Sequence, residues 1–275
     1  MQEVAITKEI VVGPRRPLLI IAGPCVIENR TVCLDIARVL HDACAALSLP
    51  YVFKASFDKA NRTSAASPRG PGLEEGLKVL GAVKDRVGVP VLTDIHLPEQ
   101  APEVAKVVDV VQIPAFLCRQ TDLLQAAADT GLPVHLKKGQ FLSPAEMRNV
   151  VDKVIARGNR RILLCERGTF FGYNELVVDM RSIILMQQLG FPVVFDATHS
   201  TQRPGGMGDK SGGDREMAPV LAAAAVATGA DGIFLETHPQ PEKALSDAGT
   251  MLKLDTVPEL LARLKGIGAV GSGRV

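Results

Sequence analysis

Eight short apolar segments, each followed by a polar cluster and a helical pattern, constrain this chain more than any other feature. They are rich in Val and Ile and lack alternating polar residues, which is typical of parallel strands covered on both faces. Eight such units in 275 residues predict an α/β fold, a (β/α)8 TIM barrel that spans residues 1–275 as a single domain. The segments are Leu18–Ala22, Tyr51–Phe53, Pro90–Leu92, Val107–Ile113, Pro133–Leu136, Arg161–Leu164, Pro192–Phe195 and Gly232–Leu235.

The stretches between these segments carry helix start and stop signals. Ser143-Pro144-Ala145-Glu146 places Ser at an N-cap, Pro in the first turn and Glu where it can close a capping box. Apolar residues then recur at three- and four-residue spacing through Met147–Ile155. Helices are predicted to end at Gly with Pro just beyond, as in Gly88-Val89-Pro90. Ahead of the first strand, Val4–Ile6 and Ile10–Val12 predict a short N-terminal hairpin covering one end of the barrel.

The charge balance and the cysteines limit the classes of partner and compartment. The chain has 31 basic and 30 acidic residues, a net charge of +1 and no basic block, so we expect neither a nucleic acid nor a membrane surface as partner. The longest apolar stretch, Ala218–Thr228, is too short to span a bilayer, and residues 1–16 lack the apolar run of a signal peptide. Five cysteines with no CxxC spacing favour a reducing, cytoplasmic setting.

Ionisable or metal-binding side chains follow every predicted strand. In a barrel, the C-terminal ends of the strands converge on one mouth, where active sites of this fold lie. A plainer interpretation is that polar residues only mark where strands stop, but that explains one or two such clusters and not eight. The residues are Cys25, Lys54, Asp94 with His96, Gln112, Lys137 with Lys138, Glu166 with Arg167, Asp196 with His199, and Glu236 with His238.

Cations at this mouth predict anionic ligands. Arg offers the paired donors that phosphate and carboxylate require, although each Lys taken alone could be an ordinary surface charge. The glycine-rich stretch from Pro204 to Gly213 could cradle a phosphate with its backbone amides, or be only a flexible turn. The cations are Lys54, Lys59, Arg62, Lys137, Lys138 and Arg167.

A second set at the mouth predicts a metal centre. Cys25, His199, Glu236 and Asp247 follow strands 1, 7 and 8, which are neighbours in a closed barrel. One sulfur, one nitrogen and two oxygen ligands suit one divalent ion of Fe, Zn, Mn or Co. Cys25 could instead be a buried small hydrophobe. Three further histidines compete as ligands, namely His96, His135 and His238.

Several motifs resemble those of the 3-deoxy-D-manno-octulosonate 8-phosphate synthase family. The resemblance covers roughly residues 18 to 252, and Lys59-Ala60-Asn61-Arg62 is its most discriminating segment, because the related heptulosonate-phosphate synthases carry Lys-Pro-Arg-Thr there. The other matching segments are 21–28 (IAGPCVIE), 53–62 (FKASFDKANR), 112–122 (QIPAFLCRQTD), 166–168 (ERG), 195–200 (FDATHS), the 205–213 loop, 236–239 (ETHP) and 244–248 (ALSDA).

The resemblance implies condensation of phosphoenolpyruvate with D-arabinose 5-phosphate by a cytoplasmic homotetramer serving lipopolysaccharide synthesis. Cys25 stands where the family's metal-dependent branch has Cys and its metal-independent branch has Asn, so the metal ligands implied are Cys25, His199, Glu236 and Asp247. Lys59, Lys137, Arg167 and Gln112 would hold phosphoenolpyruvate. Asn61, Arg62 and Asp94 would hold the pentose phosphate, and Arg119 would act across a subunit contact. Further substrate contacts are expected from Lys54, Thr63 and Ser211, and catalytic roles from Lys59, Asn61, His199 and Asp247.

The sequence departs from the family pattern locally. Ala65–Arg69 replaces a stretch that commonly includes His and an aromatic residue, and His135 stands where Asn is usual. Three other functions remain open. A heptulosonate-phosphate synthase would prefer erythrose 4-phosphate, an N-acetylneuraminate-type synthase would not need Arg62 for a phosphorylated acceptor, and a ligand-sensing barrel would bind phosphoenolpyruvate without releasing phosphate.

Overall fold

The computed structural model describes residues 1–60, 67–204 and 212–271, and within them it confirms the predicted closed parallel barrel. Strands β1 to β7 pair in chain order, and β8 pairs with both β1 and β7, which closes the barrel. The strands are β1 (Leu19–Gly23), β2 (Tyr51–Lys54), β3 (Val91–Asp94), β4 (Val110–Ile113), β5 (Val134–Lys137), β6 (Ile162–Glu166), β7 (Val193–Asp196) and β8 (Gly232–His238).

One α-helix follows each strand within the described residues. The Asn29 side chain caps α1 by accepting a hydrogen bond from the amide of Val32 at 2.9 Å. Glu146 reaches back to the amide of Ser143 at 2.8 Å as the capping box predicts, but Ser143 to Glu146 form a turn and the helix begins at Met147. The helices are α1 (Arg30–Ala46), α2 (Leu73–Val87), α3 (Ala101–Val104), α4 (Thr121–Asp129), α5 (Met147–Ile155), α6 (Arg181–Gln187), α7 (Met217–Thr228) and α8 (Val257–Gly271).

Alternation along the strands divides the interior into two cores. Side chains such as Ile20 and Val111 pack outward against the helices in the larger core. Their strand neighbours point inward and form a separate apolar cluster inside the barrel. The inward strand residues of this cluster are Leu19, Ile21, Val52, Leu92, Val110, Leu163, Cys165, Val194 and Phe234.

The predicted N-terminal hairpin is present and covers the N-terminal end of the barrel. Val4–Ala5 pairs antiparallel with Val11–Val12, and Val4, Ile6 and Val12 are buried in the same cluster as the inward strand residues. The guanidinium of Arg161, just before β6, donates to the carbonyl of Ala5 at 2.9 Å. The hairpin therefore completes an apolar floor, and the opposite, C-terminal end of the barrel is left for polar groups.

The structure shows the state of the cysteines and the length and polarity of the described helices. All five cysteines are buried free thiols. No helix in the described part of the chain is both long and apolar enough to cross a bilayer. The five thiols thus contribute to the packed interior and form no covalent cross-links.

Candidate active site

The same alternation that builds the apolar floor places polar side chains directly above it. Each of these groups lies two residues beyond an inward-facing residue of its strand, so it points into the barrel at the C-terminal mouth. All are buried, with at most a few per cent of their surface exposed. They are Lys54 after Val52, Asp94 after Leu92, Gln112 after Val110, Lys137 after His135, Asp196 after Val194 and Glu236 after Phe234.

A close approach between β1 and β2 fixes the position of Cys25. A β-carbon on Gly23 would lie 2.0 Å from the carbonyl oxygen of Lys54, so only glycine fits there. Beyond this contact, the ammonium of Lys54 donates to the carbonyl of Cys25 at 3.3 Å, and the amide of Ser56 donates to the same carbonyl. The start of the first loop is therefore tied to the end of the second strand.

Three of the four predicted metal ligands form one compact group. One ligand atom each from Cys25, Glu236 and Asp247 lies within 4.8 Å of the others. The thiol of Cys25 donates to Oδ2 of Asp247 at 2.8 Å and also lies 3.0 Å from Oγ of Ser246. Asp247 adopts a left-handed backbone conformation with φ of 50°, which is uncommon for a residue other than glycine and is typical of functional sites.

The fourth predicted ligand, His199, lies beside this group without belonging to it. Its Nε2 is 3.6 Å from Oε2 of Glu236, while its Nδ1 is 2.7 Å from Oδ2 of Asp196. A histidine that donates Nδ1–H to a carboxylate presents the lone pair of Nε2, which is the usual arrangement around a protein-bound metal. The side chain of Asp196 therefore sets the tautomer that a ligand at this position needs.

The buried oxygen Oε2 of Glu236 tests whether a cation fits this site. It has no hydrogen-bond partner among the described residues, although Glu236 is fully buried. An unsatisfied buried carboxylate oxygen is costly, and a cation between it, the thiol and the imidazole would satisfy it. Together these thiol, imidazole and carboxylate groups form a borderline-soft donor set, which fits a divalent transition metal ion.

Charges around the group act on the ligands in opposite directions. Burial, and then the carboxylates of Asp247 and Glu236, raise the pKa of the Cys25 thiol well above its ordinary value. Burial works against ionisation of Glu236, but His199, Lys54 and Lys59 outweigh it and lower the pKa of that carboxyl group. Glu236 is therefore ionised at neutral pH, whereas Cys25 keeps its proton until a cation displaces it.

The predicted cations Lys54, Lys137 and Arg167 line the same mouth. Lys54 forms a buried ion pair with Glu236 at 3.1 Å, and Lys137 donates to Asp196 and lies 3.7 Å from the ring centroid of Phe234. Arg167 is buried, and its Nη1 has no hydrogen-bond partner among the described residues. Burial lowers the pKa of Arg167, so its charge is incompletely compensated, as expected of a group that meets an anionic ligand.

Lys59 completes the set of described cations. Its amide donates to the carbonyl of Arg69 at 2.7 Å, which anchors the segment after β2. Burial works to lower the pKa of Lys59, but its interactions with the acidic groups of Cys25, Glu236, Asp94 and Asp247 outweigh burial and raise the pKa. The side chain is therefore a cation over the whole physiological range and faces the predicted metal group.

Two polar pairs occupy the remaining strand ends. Asp94 accepts from Oγ of Ser56 at 2.5 Å and lies 3.1 Å from Nε2 of His96. Although burial opposes it, Lys54 and then His96 hold the pKa of Asp94 well below its ordinary value. Around the barrel, Nδ1 of His135 lies 3.0 Å from Oε1 of Gln112, which leaves the amide group of Gln112 free to donate to a ligand.

Some predicted groups lie elsewhere. Lys138 points into the barrel wall, where it donates to the carbonyls of Leu142 and Gly168, so its predicted place among the mouth cations is wrong. Arg119 is exposed, and its contribution across a subunit contact stays a prediction. The competing histidines His96, His135 and His238 are absent from the three-residue group. Four predicted residues lie outside the described residues, namely Asn61, Arg62, Thr63 and Ser211.

The structure brings two residues into the site that the sequence analysis did not select, Ser56 and Gln202, and it gives the predicted strand-end residue Asp196 specific partners. Ser56 links Lys54 to Asp94, and Asp196 holds both Lys137 and His199. Gln202 lies between Arg167 and Asp247 and contacts both. The inward direction of Asp196 agrees with strand alternation, because it follows the inward-facing Val194 by two residues. Ser56 lies in a loop and Gln202 begins a strand of only two residues, so no periodicity points to either of them.

Comparison with known proteins places this geometry in context. The model of the DAHP synthetase I family matches residues 2–269. A curated relative named 2-dehydro-3-deoxyphosphooctonate aldolase, from Geobacter metallireducens, is 57% identical over 269 residues, which cover 96% of this chain and 99% of the relative. Relatives of the same name from Geotalea daltonii and Methylococcus capsulatus are each 57% identical, over 95% and 92% of this chain and 96% and 89% of their own lengths.

Proposed function

The chain belongs to the DAHP synthetase I family, and on that premise we propose that it is a 3-deoxy-8-phosphooctulonate synthase. It condenses phosphoenolpyruvate with D-arabinose 5-phosphate and water to give 3-deoxy-D-manno-octulosonate 8-phosphate and inorganic phosphate, a transferase reaction of lipopolysaccharide precursor synthesis. The observation that carries the proposal is one barrel mouth that joins a thiol–carboxylate group to Lys54, Lys59, Lys137 and Arg167.

We propose that Cys25, His199, Glu236 and Asp247 hold one divalent ion of Fe, Zn, Mn or Co. The support is the 4.8 Å group, the imidazole beside it and the unsatisfied Oε2 of Glu236. When bound, such an ion polarises an oxygen or lowers the pKa of a water molecule. Lys54 pairs with Glu236 and so limits the negative charge of the ligand set before the ion binds.

Binding of phosphoenolpyruvate is assigned to Lys59, Lys137, Arg167 and Gln112, with Lys54 close by. A carboxylate and a phosphate need several converging cations in a site shielded from water, and these side chains provide them. Asp94 at the end of β3 is assigned to the hydroxyl groups of the pentose, since an ionised carboxylate accepts hydrogen bonds. Contacts from Asn61, Arg62, Thr63 and Ser211 are also part of the proposal, on the resemblance alone.

The reaction forms one carbon–carbon bond and breaks one carbon–oxygen bond. C3 of phosphoenolpyruvate attacks the aldehyde carbon of the pentose, and water adds to C2, giving a hemiketal phosphate that expels inorganic phosphate. Lys59 stabilises and protonates the alkoxide formed from the aldehyde, because its raised pKa keeps the proton in place beforehand. Asp247 or Glu236 accepts the proton of the water, and a catalytic role is also assigned to His199 and, on the resemblance alone, to Asn61.

We also propose that the protein assembles as a homotetramer. Large aromatic side chains are exposed on the loops that follow β4, β5 and β6, and an exposed apolar patch of this kind favours contact with a second copy of the chain. The loops adjoin, since the amide of Phe170 donates to the carbonyl of Gln140 at 2.9 Å. Arg119 lies in the same region and would reach a neighbouring site. The exposed aromatic residues are Phe116, Phe141, Phe170, Phe171 and Tyr173.

The domain organisation and the cellular compartment are also part of the proposal. A single barrel domain over residues 1–275 is supported by the family match from residue 2 to residue 269. A cytoplasmic setting is supported by the five free thiols, since a reducing compartment keeps cysteines unpaired.

A phosphate-release assay with competing acceptors tests the proposed function. The protein is supplied with phosphoenolpyruvate and either arabinose 5-phosphate or erythrose 4-phosphate, and the sugar product is identified by mass spectrometry. We expect phosphate release that depends on arabinose 5-phosphate, with an eight-carbon product. Preference for erythrose 4-phosphate would assign the chain to the heptulosonate-phosphate reaction, and no release with either sugar would support a ligand-sensing barrel. A variant with Arg167→Met provides the matched control for phosphate released by contaminants.

A further inference from the structure

Gln202 occupies a tightly held position beside the metal group. It begins a two-residue strand, Gln202–Arg203, which pairs antiparallel with Gly212–Gly213. A β-carbon on Gly213 would lie 2.0 Å from Cγ2 of Thr250, so this ladder presses directly on the turn that begins at Asp247. The backbone of Gln202 is therefore fixed against the segment that carries a predicted metal ligand.

The side chain of Gln202 joins the two chemical halves of the mouth. Its Oε1 accepts from Nη2 of Arg167 at 2.8 Å, and its Nε2 donates to Oδ1 of Asp247 at 3.0 Å. Arginine has only donors, and an ionised carboxylate has only acceptors, so one orientation of the amide satisfies both contacts. A side chain with only donors or only acceptors could not make this bridge.

Each contact settles what its partner can offer to a ligand. Because Oδ1 of Asp247 is held by Gln202, Oδ2 is the oxygen that faces the thiol of Cys25 at 2.8 Å. The contact with Gln202 fixes Nη2 of Arg167, while Nη1, which is buried and has no hydrogen-bond partner in the described part of the chain, is available to an anion.

We propose that Gln202 is a positioning residue that orients the anion-binding guanidinium of Arg167 and the metal-binding carboxylate of Asp247 together. This rests on the proposed function for the identity of the two ligands. One amide serves both sites, so its loss weakens the binding of phosphoenolpyruvate and of the metal ion at once. Because the pentose phosphate is assigned to other residues in the proposed function, its binding is expected to be unaffected.

The test uses Gln202→Met, which keeps the length of the side chain and removes both hydrogen bonds. Binding of Mn(II) to metal-stripped protein is measured by equilibrium dialysis without substrates, and the KM of each substrate is measured at saturating Mn(II). We expect the Kd for Mn(II) to rise about 10–100-fold, as for other residues that orient metal ligands. The KM for phosphoenolpyruvate rises roughly tenfold, and the KM for arabinose 5-phosphate and the kcat stay within about twofold.

Two further variants keep the test decisive. Gln202→Asn retains a polar amide but is one methylene shorter, so it cannot span both partners and should shift the same two constants. Arg203→Gln lies on the same short strand with an exposed side chain and should shift neither.

The proposal is overturned if only one constant moves, if neither moves, or if both substrate KM values rise together with a lower Tm, which would indicate a purely structural role. If the protein does not turn over the two substrates at all, the Mn(II) measurement is repeated beside calorimetric titration with phosphoenolpyruvate. Those two affinities still decide the role of Gln202 when the proposed reaction has failed.

Discussion

The two ends of the barrel interior are built from the same strands with opposite chemistry. At the floor, inward residues such as Leu19, Leu163 and Val194 pack with the N-terminal hairpin in a wholly apolar cluster. Further along the strands, the same inward direction carries Lys137, Asp196 and other buried charged groups, and Asp196 lies two residues beyond Val194. One periodicity therefore produces both the stabilising core and the reactive surface, separated by about one strand repeat.

The apolar floor and the charged mouth contribute to the stability of the folded state in opposite ways. Burying apolar side chains at the floor stabilises the folded state, because it removes hydrocarbon from water. Burying charges at the mouth is costly unless they are paired, and pairs such as Lys54 with Glu236 offset much of that cost. Oε2 of Glu236 and Nη1 of Arg167 remain without hydrogen-bond partners in the described residues. These uncompensated atoms are the ones that ligands would satisfy.

Among substitutions at the two ends of the barrel, Cys25→Ala at the mouth is expected to have the largest effect, and that effect is on turnover. Loss of the thiolate ligand should reduce turnover roughly a thousandfold, because a catalytic metal ion supplies several kcal/mol of transition-state stabilisation. The Tm of the metal-free protein should stay unchanged. The matched control is Cys44→Ala, a buried thiol of α1 in the outer core, which should keep its activity per folded molecule. Full activity of Cys25→Ala would contradict the assignment of the metal-binding groups to the mouth.

Lys138→Met changes a charged group near the mouth that is expected to stabilise the fold and not to bind a ligand. Lys138 lies at the level of the mouth, yet it is fully buried in the wall, 3.4 Å from Glu166, and donates to Oγ1 of Thr169. Burial lowers its pKa, and its removal breaks the buried ion pair with Glu166, at a cost of about 3–5 kcal/mol. Urea unfolding measures this loss, with the exposed Lys106→Met as control. An unchanged urea midpoint would show that the pair adds nothing to stability.

Leu163→Ala tests the floor itself. This fully buried side chain lies in the inner cluster, and its truncation should cost about 2–5 kcal/mol through lost burial and the cavity left behind. The kcat and both KM values per folded molecule should remain within about twofold, because the mouth residues are held by their own hydrogen bonds. Urea unfolding and steady-state kinetics on the same preparation measure both quantities. A lower kcat at an unchanged free energy of unfolding would contradict the purely structural role of Leu163 in the floor.

The smallest predicted effect concerns His135, between the two layers. Burial and then Lys137 lower the pKa of His135 from 6.5 to about 3. Between these values the unfolded chain binds a proton that the folded protein does not, so stability falls as the pH drops below 6.5. Each pH unit costs about 1.4 kcal/mol. Tm measured from pH 8 to pH 5 should therefore fall less steeply for His135→Asn than for the unmodified protein, and parallel curves would contradict this assignment.

Much of this architecture could be predicted because the relevant signals are local. The eight strands appear as apolar runs, and their ends carry the polar groups, so the barrel and its mouth follow from the sequence. Alternation could also have separated Lys137 from Lys138, since only the former shares the inward direction of His135. The start of α5 at Met147 was less predictable, because a capping box is compatible with a turn ahead of the helix.

The remaining parts of the site depend on contacts between distant loops. Gln202 meets Arg167 and Asp247 only because the short ladder with Gly212–Gly213 folds against the last loop. Ser56 reaches Asp94 across neighbouring strand ends. No periodicity or spacing in the sequence encodes such meetings, which arise from the closed arrangement of the strands.

The proposed metal centre requires that Cys25 binds the same ion as His199, Glu236 and Asp247. Titration of metal-stripped protein with Co(II), followed by absorption spectroscopy, tests it most directly, because a thiolate bound to Co(II) gives a charge-transfer band in the near ultraviolet. We expect this band to saturate at one Co(II) per chain, to persist in Cys44→Ala and to disappear in Cys25→Ala. A band that survives in Cys25→Ala, or no band in the unmodified protein, would contradict it.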